Sequence, residues 1–123
     1  MNKLEFIAVL GELGWPKEEY VILSGGSLLM RGLRKTTADV DISLTKHLAQ
    51  EINLYDAPQD KKGYYNPREN VQAFDDSDKI EFDIVDGYKC ETLESVLAFK
   101  KKMMRPKDLK DIEKIEAALK GTA

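Results

Sequence analysis

Asp39 and Asp41 stand one residue apart near the end of GGSLLMRGLRKTTADVDISL, a stretch that opens on Gly25, Gly26 and Ser27. On a β-strand, residues i and i+2 point to one side, so two such carboxylates lie a few ångströms apart. They repel unless both are well solvated or share a cation. Mg²⁺ prefers hard oxygen ligands and commonly takes one or two carboxylates together with phosphate oxygens. Glycines let the backbone approach a ligand closely, and a following helix start offers N–H groups and the positive end of its dipole. Ser27 adds a hydroxyl. The spacing suits a phosphate and a metal ion; an ordinary turn followed by an exposed acidic strand would have the same letters.

A third acid, Asp83, lies in KIEFDIVDG, where Ile80, Phe82 and Ile84 share one face and Glu81, Asp83 and Val85 the other. If that strand neighbours the strand of Asp39 and Asp41, three carboxylates converge. Such a site can hold two Mg²⁺ ions about 3.5–4 Å apart, the arrangement used for in-line phosphoryl transfer. Asp83, bound to one ion, would then be placed to accept a proton from the attacking hydroxyl. Glu81 is its rival on the same face, but Asp83 sits in the middle of the strand.

The order of these features resembles the nucleotidyltransferase superfamily related to DNA polymerase β, and the fuller string looks like its minimal, AbiEii-type members. G-G-S is followed after eleven residues by D-V-D, with Lys35 and Thr37 in the basic-x-Thr-x-Asp-x-Asp pattern. Lysine stands there where arginine is more usual. Downstream, LAFKKKMMRPKDLKDI carries Lys100, then Arg105, Lys107, Asp108 and Asp111, similar to the lysine helix and R-x-K-D-x-x-D of that group. The resemblance implies transfer of a nucleoside monophosphate from an NTP to an acceptor hydroxyl, with release of pyrophosphate. It implies metal ligation by Asp39, Asp41 and Asp83. It implies nucleotide contacts from Gly25, Gly26, Ser27, Lys35, Thr37 and Lys100. The acceptor (tRNA, protein or small molecule) is not specified. A toxin–antitoxin or phage-defence setting follows by analogy alone. A nucleotide-binding or antitoxin-like partner protein with little catalysis is the alternative. A domain with coincidental glycines and acids is the bland one.

Several elements must position these groups. Leu4, Ile7, Leu10 and Leu13 recur at helical spacing behind Asn2, a cap with Glu5 three residues on. Gly14 and Pro16 end that helix, and Trp15 between them suits a core edge. YVILS (20–24) reads as a buried strand, and Ser27 to Leu33 as a short helix after the two glycines. ADVDISL alternates, with Val40, Ile42 and Leu44 inward. Thr45 to about Ile52 reads as another helix, with His47 decorating its start. Residues 53–70 are a loop or a short edge strand near Asn53 to Tyr55. VQAF and KIEFDIVDG read as two strands joined by DDSD. Leu93 to Met104 is a helix capped by Thr92, and Pro106 opens a last helix that ends near Leu119. The expected fold is one α/β (α+β) domain over 1–123: a small mixed β-sheet with helices packed mainly on one side.

The chain has 123 residues, 42% hydrophobic and 33% charged, with formal net charge −3. That balance gives no global attraction to nucleic acid or an anionic membrane. No apolar run reaches the ~18 residues that span a bilayer, so a cytoplasmic protein is expected. Cys90 is the sole cysteine, which excludes an internal disulfide and suits a small core residue. Tyr64 and Tyr65, beside Lys61, Lys62 and Arg68, are placed either to stack on a base or simply to fill a loop. So short a chain would leave a nucleotide cleft open on one side, which a homodimer or partner protein could close.

Overall fold

The computed structural model describes residues 1–121. Asn2 caps the first helix, α1 (Lys3–Leu13), by accepting from Glu5 N while Glu5 accepts from Asn2 N. Gly14, with φ of 67°, closes it in the left-handed region where glycine carries no Cβ penalty. The elements that follow are β1 (Tyr20–Ile22), α2 (Ser24–Met30), β2 (Val40–Leu44), α3 (Lys46–Glu51), β3 (Tyr65–Arg68), β4 (Val71–Phe74), β5 (Phe82–Val85), β6 (Tyr88–Glu91), α4 (Leu93–Met103) and α5 (Leu109–Leu119). Thr45 and Thr92 cap α3 and α4 through their hydroxyls, Thr92 as its position before the helical run predicts and Thr45 standing just outside the helix it is expected to open.

The six strands form one mixed, open sheet in the order β3-β4-β2-β1-β6-β5. β1 runs antiparallel to β2 and parallel to β6, and β2 runs parallel to β4. The outer pairs, β3 with β4 and β5 with β6, are antiparallel. Alternation sets the two faces. Ile22, Val40, Ile42, Leu44, Val71, Ala73 and Cys90 point to one side, where they pack with Phe6 and Leu10 of α1, Leu29 and Met30 of α2, and Leu48 and Ala49 of α3. Each large side chain in this layer contributes about 1.5–3 kcal/mol by leaving water. Trp15 packs at the edge of the layer. Leu28 on the other flank of α2 meets Val96 of α4 and Ile115 of α5, which ties the C-terminal helix pair to the sheet layer.

Three expectations change. Helix α2 begins at Ser24, so Gly25 and Gly26 lie inside its first turn rather than before it. The edge strand of residues 53–70 is at Tyr65–Arg68, while Leu54–Asp56 forms a 3-10 turn. The strand accepts Pro67 because it is an edge, where a missing N–H costs no ladder bond. Third, β4 and β5 are not a hairpin. Asp86 and Gly87, with φ of 51° and 85°, make the tight turn that folds β5 back on β6. The pair thereby places β6 beside β1 and leaves β5 at the rim. Phe82 and Ile84 are exposed there, and Val85 is the β5 residue that packs against the core.

Candidate functional site

A cleft of about 460 Å³ opens on the sheet face opposite the α1–α3 layer, between the ends of β1 and β2 and the C-terminal helix pair. Gly25, Thr37, Asp39, Asp41 and Lys100 all line it. Asp41 projects from the middle of the sheet because Val40 and Ile42, on either side of it, are committed to the core. Its Oδ1 atom is buried and has no hydrogen-bond partner among the described residues. Burial and, next, the Asp39 charge push its pKa up to about 6, against a smaller opposing pull from Lys62 and Arg34. An orphaned carboxylate oxygen of this kind is costly in a fold unless something binds there.

The wall across from the acids is basic and internally braced. Lys100 is buried, with Nζ 3.3 Å from Asp108 Oδ1 and 3.2 Å from Asp111 Oδ2. Arg105 donates through Nε to Asp108 Oδ2 at 2.7 Å and through Nη2 to Oδ1 at 3.1 Å. Arg34 reaches Asp111 Oδ2 at 3.4 Å. The Arg105 bonds are the main reason the Asp108 carboxyl is held down at about 2. Three cations thus share two carboxylates, and Lys62 and Lys107 add further positive charge to the lining. The R-x-K-D-x-x-D residues therefore form the cleft wall, with Asp108 and Asp111 orienting the cations.

The two glycines do different work. A Cβ on Gly25 would stand 2.8 Å from Arg34 Nη1 and 3.3 Å from Thr37 Oγ1, so this glycine keeps room at the cleft. A Cβ on Gly26 would stand 2.7 Å from Phe6 Cζ and 2.8 Å from Ile22 Cγ2, so that glycine permits helix-to-core packing. Ser27 is buried and faces away from the cleft. It donates to Glu91 O at 2.7 Å and accepts from Arg31 Nη1. Lys35 does not line the cleft. Gly26, Ser27 and Lys35 are therefore outside the cleft lining, the first two because α2 starts three residues earlier than its sequence suggests.

Asp83 is not brought to the other two acids. It pairs across β6 with Cys90, Cys90 aligns with Ile22, and Ile22 aligns with Ile42. Two strands intervene between β5 and β2, so the backbones are roughly 14 Å apart at ~4.8 Å per strand. The same register turns Asp83 toward the face of Ile42, opposite to Asp41. There it meets Arg31 Nη2 at 2.8 Å. The position beside Asp41 is filled by Gln72 of β4.

Residues that the motif did not mark complete the lining. Tyr64 and Phe99 line the cleft together with Lys62 and Gln72. Alternation in VQAF points Gln72 away from the core, the one signal that could have found it. Away from the cleft, Glu19, His47 and Glu51 bring ligand-type atoms within 4.8 Å of one another. His47 Nδ1 lies 2.7 Å from Glu19 Oε1, which raises the imidazole pKa and lowers that of the acid. Cys90 is buried, and burial lifts its thiol to about 11, so it is an inert core residue. No helix among the described residues is long and apolar enough to cross a membrane. No family model, curated protein or solved structure matches the chain.

Proposed function

We propose that the cleft binds a nucleoside triphosphate with Mg²⁺ and transfers its nucleoside monophosphate to an acceptor hydroxyl, releasing pyrophosphate. One observation carries this reading: the buried, unpartnered Oδ1 of Asp41 stands beside Asp39 and opposite a braced wall of arginine and lysine. Carboxylates alone suit a cation; a basic wall alone suits an anion. A metal–polyphosphate needs both, side by side.

The donor set fits one protein-held Mg²⁺, at Asp39 and Asp41. A second ion of the kind expected from three carboxylates would lack Asp83. When bound, the ion would neutralise charge on the phosphates and lower the pKa of an attacking hydroxyl. Arg34, Lys100 and Arg105 would bind the triphosphate, held in place by Asp108 and Asp111. Gly25 leaves the space for it. Tyr64 and Phe99 would flank the reacting end and limit water. Asp83 is too distant to take the acceptor's proton.

The displaced Asp83 also favours a second reading, a nucleotide-binding partner protein with little catalysis. The setting, toxin–antitoxin or phage defence, rests on resemblance alone. The test is to titrate each of the four common NTPs with and without Mg²⁺ by calorimetry. The protein is then incubated with α-labelled NTP and total RNA, total protein or a metabolite extract. Mg²⁺-dependent binding with label transfer supports transfer chemistry. Binding without label in any fraction selects the partner reading. No binding of any NTP would remove both.

A further inference from the structure

Beside the cleft lies a second, smaller hollow of about 170 Å³, which shares Leu23, Ser24, Tyr64 and Phe99 with it. Tyr64, Phe74, Phe99 and Ile80 form its walls, and Asp76 and Glu91 add carboxylates. No lysine, arginine or histidine side chain lines it among the described residues. The large cleft and the small hollow thus differ in sign: one is basic with a metal-type acid pair, the other is aromatic and purely acidic.

Both carboxylates are fixed by the fold. Glu91 follows Cys90, which points into the core, so Glu91 points to the sheet face of Asp41. Its Oε1 accepts from Ser24 N at 2.9 Å and its Oε2 from Ser95 Oγ at 2.6 Å. Asp76 Oδ1 accepts from Ser43 Oγ at 2.5 Å, and Ser43 is the next outward residue after Asp41 on β2. Each carboxylate keeps lone pairs for further donors. Tyr64 reports the convergence: after burial, the charges of Asp41, Asp76, Asp60 and Glu91 all raise its hydroxyl pKa.

We propose that this hollow is the acceptor subsite and that it selects a small hydroxyl compound bearing a protonated amine, not a nucleic acid end. The inference rests on the proposed nucleotide site, since the hollow has an acceptor's place only if Asp39 and Asp41 hold the metal–nucleotide. The aromatic walls take an apolar ring face, and Asp76 and Glu91 take the ammonium through charge-assisted hydrogen bonds. A phosphate backbone entering the same space meets two carboxylates and no cation. The volume admits one ring rather than a folded polymer. In the transfer, the acceptor oxygen bonds to the α-phosphorus, and the bond from that phosphorus to the oxygen bridging to the β-phosphorus breaks. Pyrophosphate carries away that electron pair, and the hydroxyl proton passes to solvent through the carboxylates lining the hollow.

The test uses the whole chain with Mg²⁺ and a non-hydrolysable NTP, in two calorimetric arms. The first measures NTP binding, and the second titrates glucosamine, N-acetylglucosamine, glucose and a short oligoribonucleotide with a free 3′-hydroxyl. Glucosamine is expected to bind about tenfold more tightly than its N-acetyl and glucose counterparts, a difference that fades in high salt. Asp76→Asn and Glu91→Gln should each remove most of that preference while NTP binding stays within about twofold, which also reports an intact fold. Intact NTP binding with equal affinity for glucose and glucosamine, or with tighter oligoribonucleotide binding, would overturn the acceptor assignment and leave the nucleotide site standing. Loss of NTP binding in the wild-type chain would take down the nucleotide site and this inference with it.

Discussion

Strands β2 and β5 both carry an aspartate between apolar neighbours of an alternating run, and the fold treats them in opposite ways. Asp41 sits in the middle of the sheet, with a buried oxygen that no described residue satisfies. Asp83 sits at the rim, where Arg31 satisfies it at 2.8 Å and solvent reaches it. The first arrangement is unfavourable for a bare protein and sensible for one that binds a cation. The second is an ordinary surface ion pair. A shared sequence pattern therefore says little until the neighbours of each strand are known.

The largest effect is expected at Asp41. Asp41→Asn should weaken Mg²⁺-dependent NTP binding by more than about 100-fold, since it removes a ligand of the proposed ion. The same change should stabilise the protein. Asp41's pKa is raised to about 6 in the fold, so its ionised form is disfavoured there. Asp41's own contribution to stability is then greatest below pH ~4, where the carboxyl is protonated both folded and unfolded, and falls as pH rises toward about 6. Above that range Asp41→Asn should gain about 2 kcal/mol in urea melts, and below pH ~4 almost nothing. A variant that lost stability at neutral pH would put Asp41 among ordinary structural acids, alongside Asp83.

Next comes the wall facing Asp41. Lys100→Met leaves buried Asp108 and Asp111 short of a cation and should cost about 3 kcal/mol in the same melts. An unchanged midpoint would mean that Arg34 and Arg105 suffice to hold those acids.

The adjacent glycines sharpen the division between core and cleft. Gly26→Ala should cost about 1–3 kcal/mol, because its Cβ meets Phe6 and Ile22 in a packed layer. Gly25→Ala meets the far end of Arg34 and should spare stability while weakening NTP binding about tenfold. Thermal melts paired with calorimetry separate the two, and reversed outcomes would exchange their assignments.

The smallest effect belongs to Asp83. Asp83→Asn removes an exposed ion pair and should change stability by no more than about 0.5 kcal/mol, with NTP binding unaltered. A large loss of nucleotide affinity would bring β5 back into the site.

Much of the layout was legible in the sequence where the signal is local. The Asn2–Glu5 cap, Thr92 before α4, and the alternation of ADVDISL all act within a few residues. The expected mixed sheet with helices is the fold observed. Strand order was not legible, because pairing depends on partners distant in the chain. The Asp86–Gly87 turn is the local signal that decides it: the turn commits β5 to a hairpin with β6 and so removes Asp83 from the vicinity of Asp41. The start of α2 is hidden for a related reason. Glycines in GGS look like a turn, yet Phe6 and Ile22 need a residue without a Cβ at Gly26 within the helix. Gln72, Asp76 and Glu91 carry no motif at all. The sheet register brings Gln72 and Glu91 to the face of Asp41, and a hydrogen bond from Ser43 holds Asp76 there.

The most direct test replaces Mg²⁺ with Mn²⁺, whose unpaired electrons broaden NMR signals from nearby nuclei. The amide signals of the 123-residue chain are assigned and Mn²⁺ is added at sub-stoichiometric levels with a non-hydrolysable NTP. The account predicts that amide signals of Asp39, Val40, Asp41 and Gln72 broaden first, while those of Asp83 and its β5 neighbours persist. Broadening centred on Asp83, or on Glu19, His47 and Glu51, with the Asp41 signals left sharp, would contradict it.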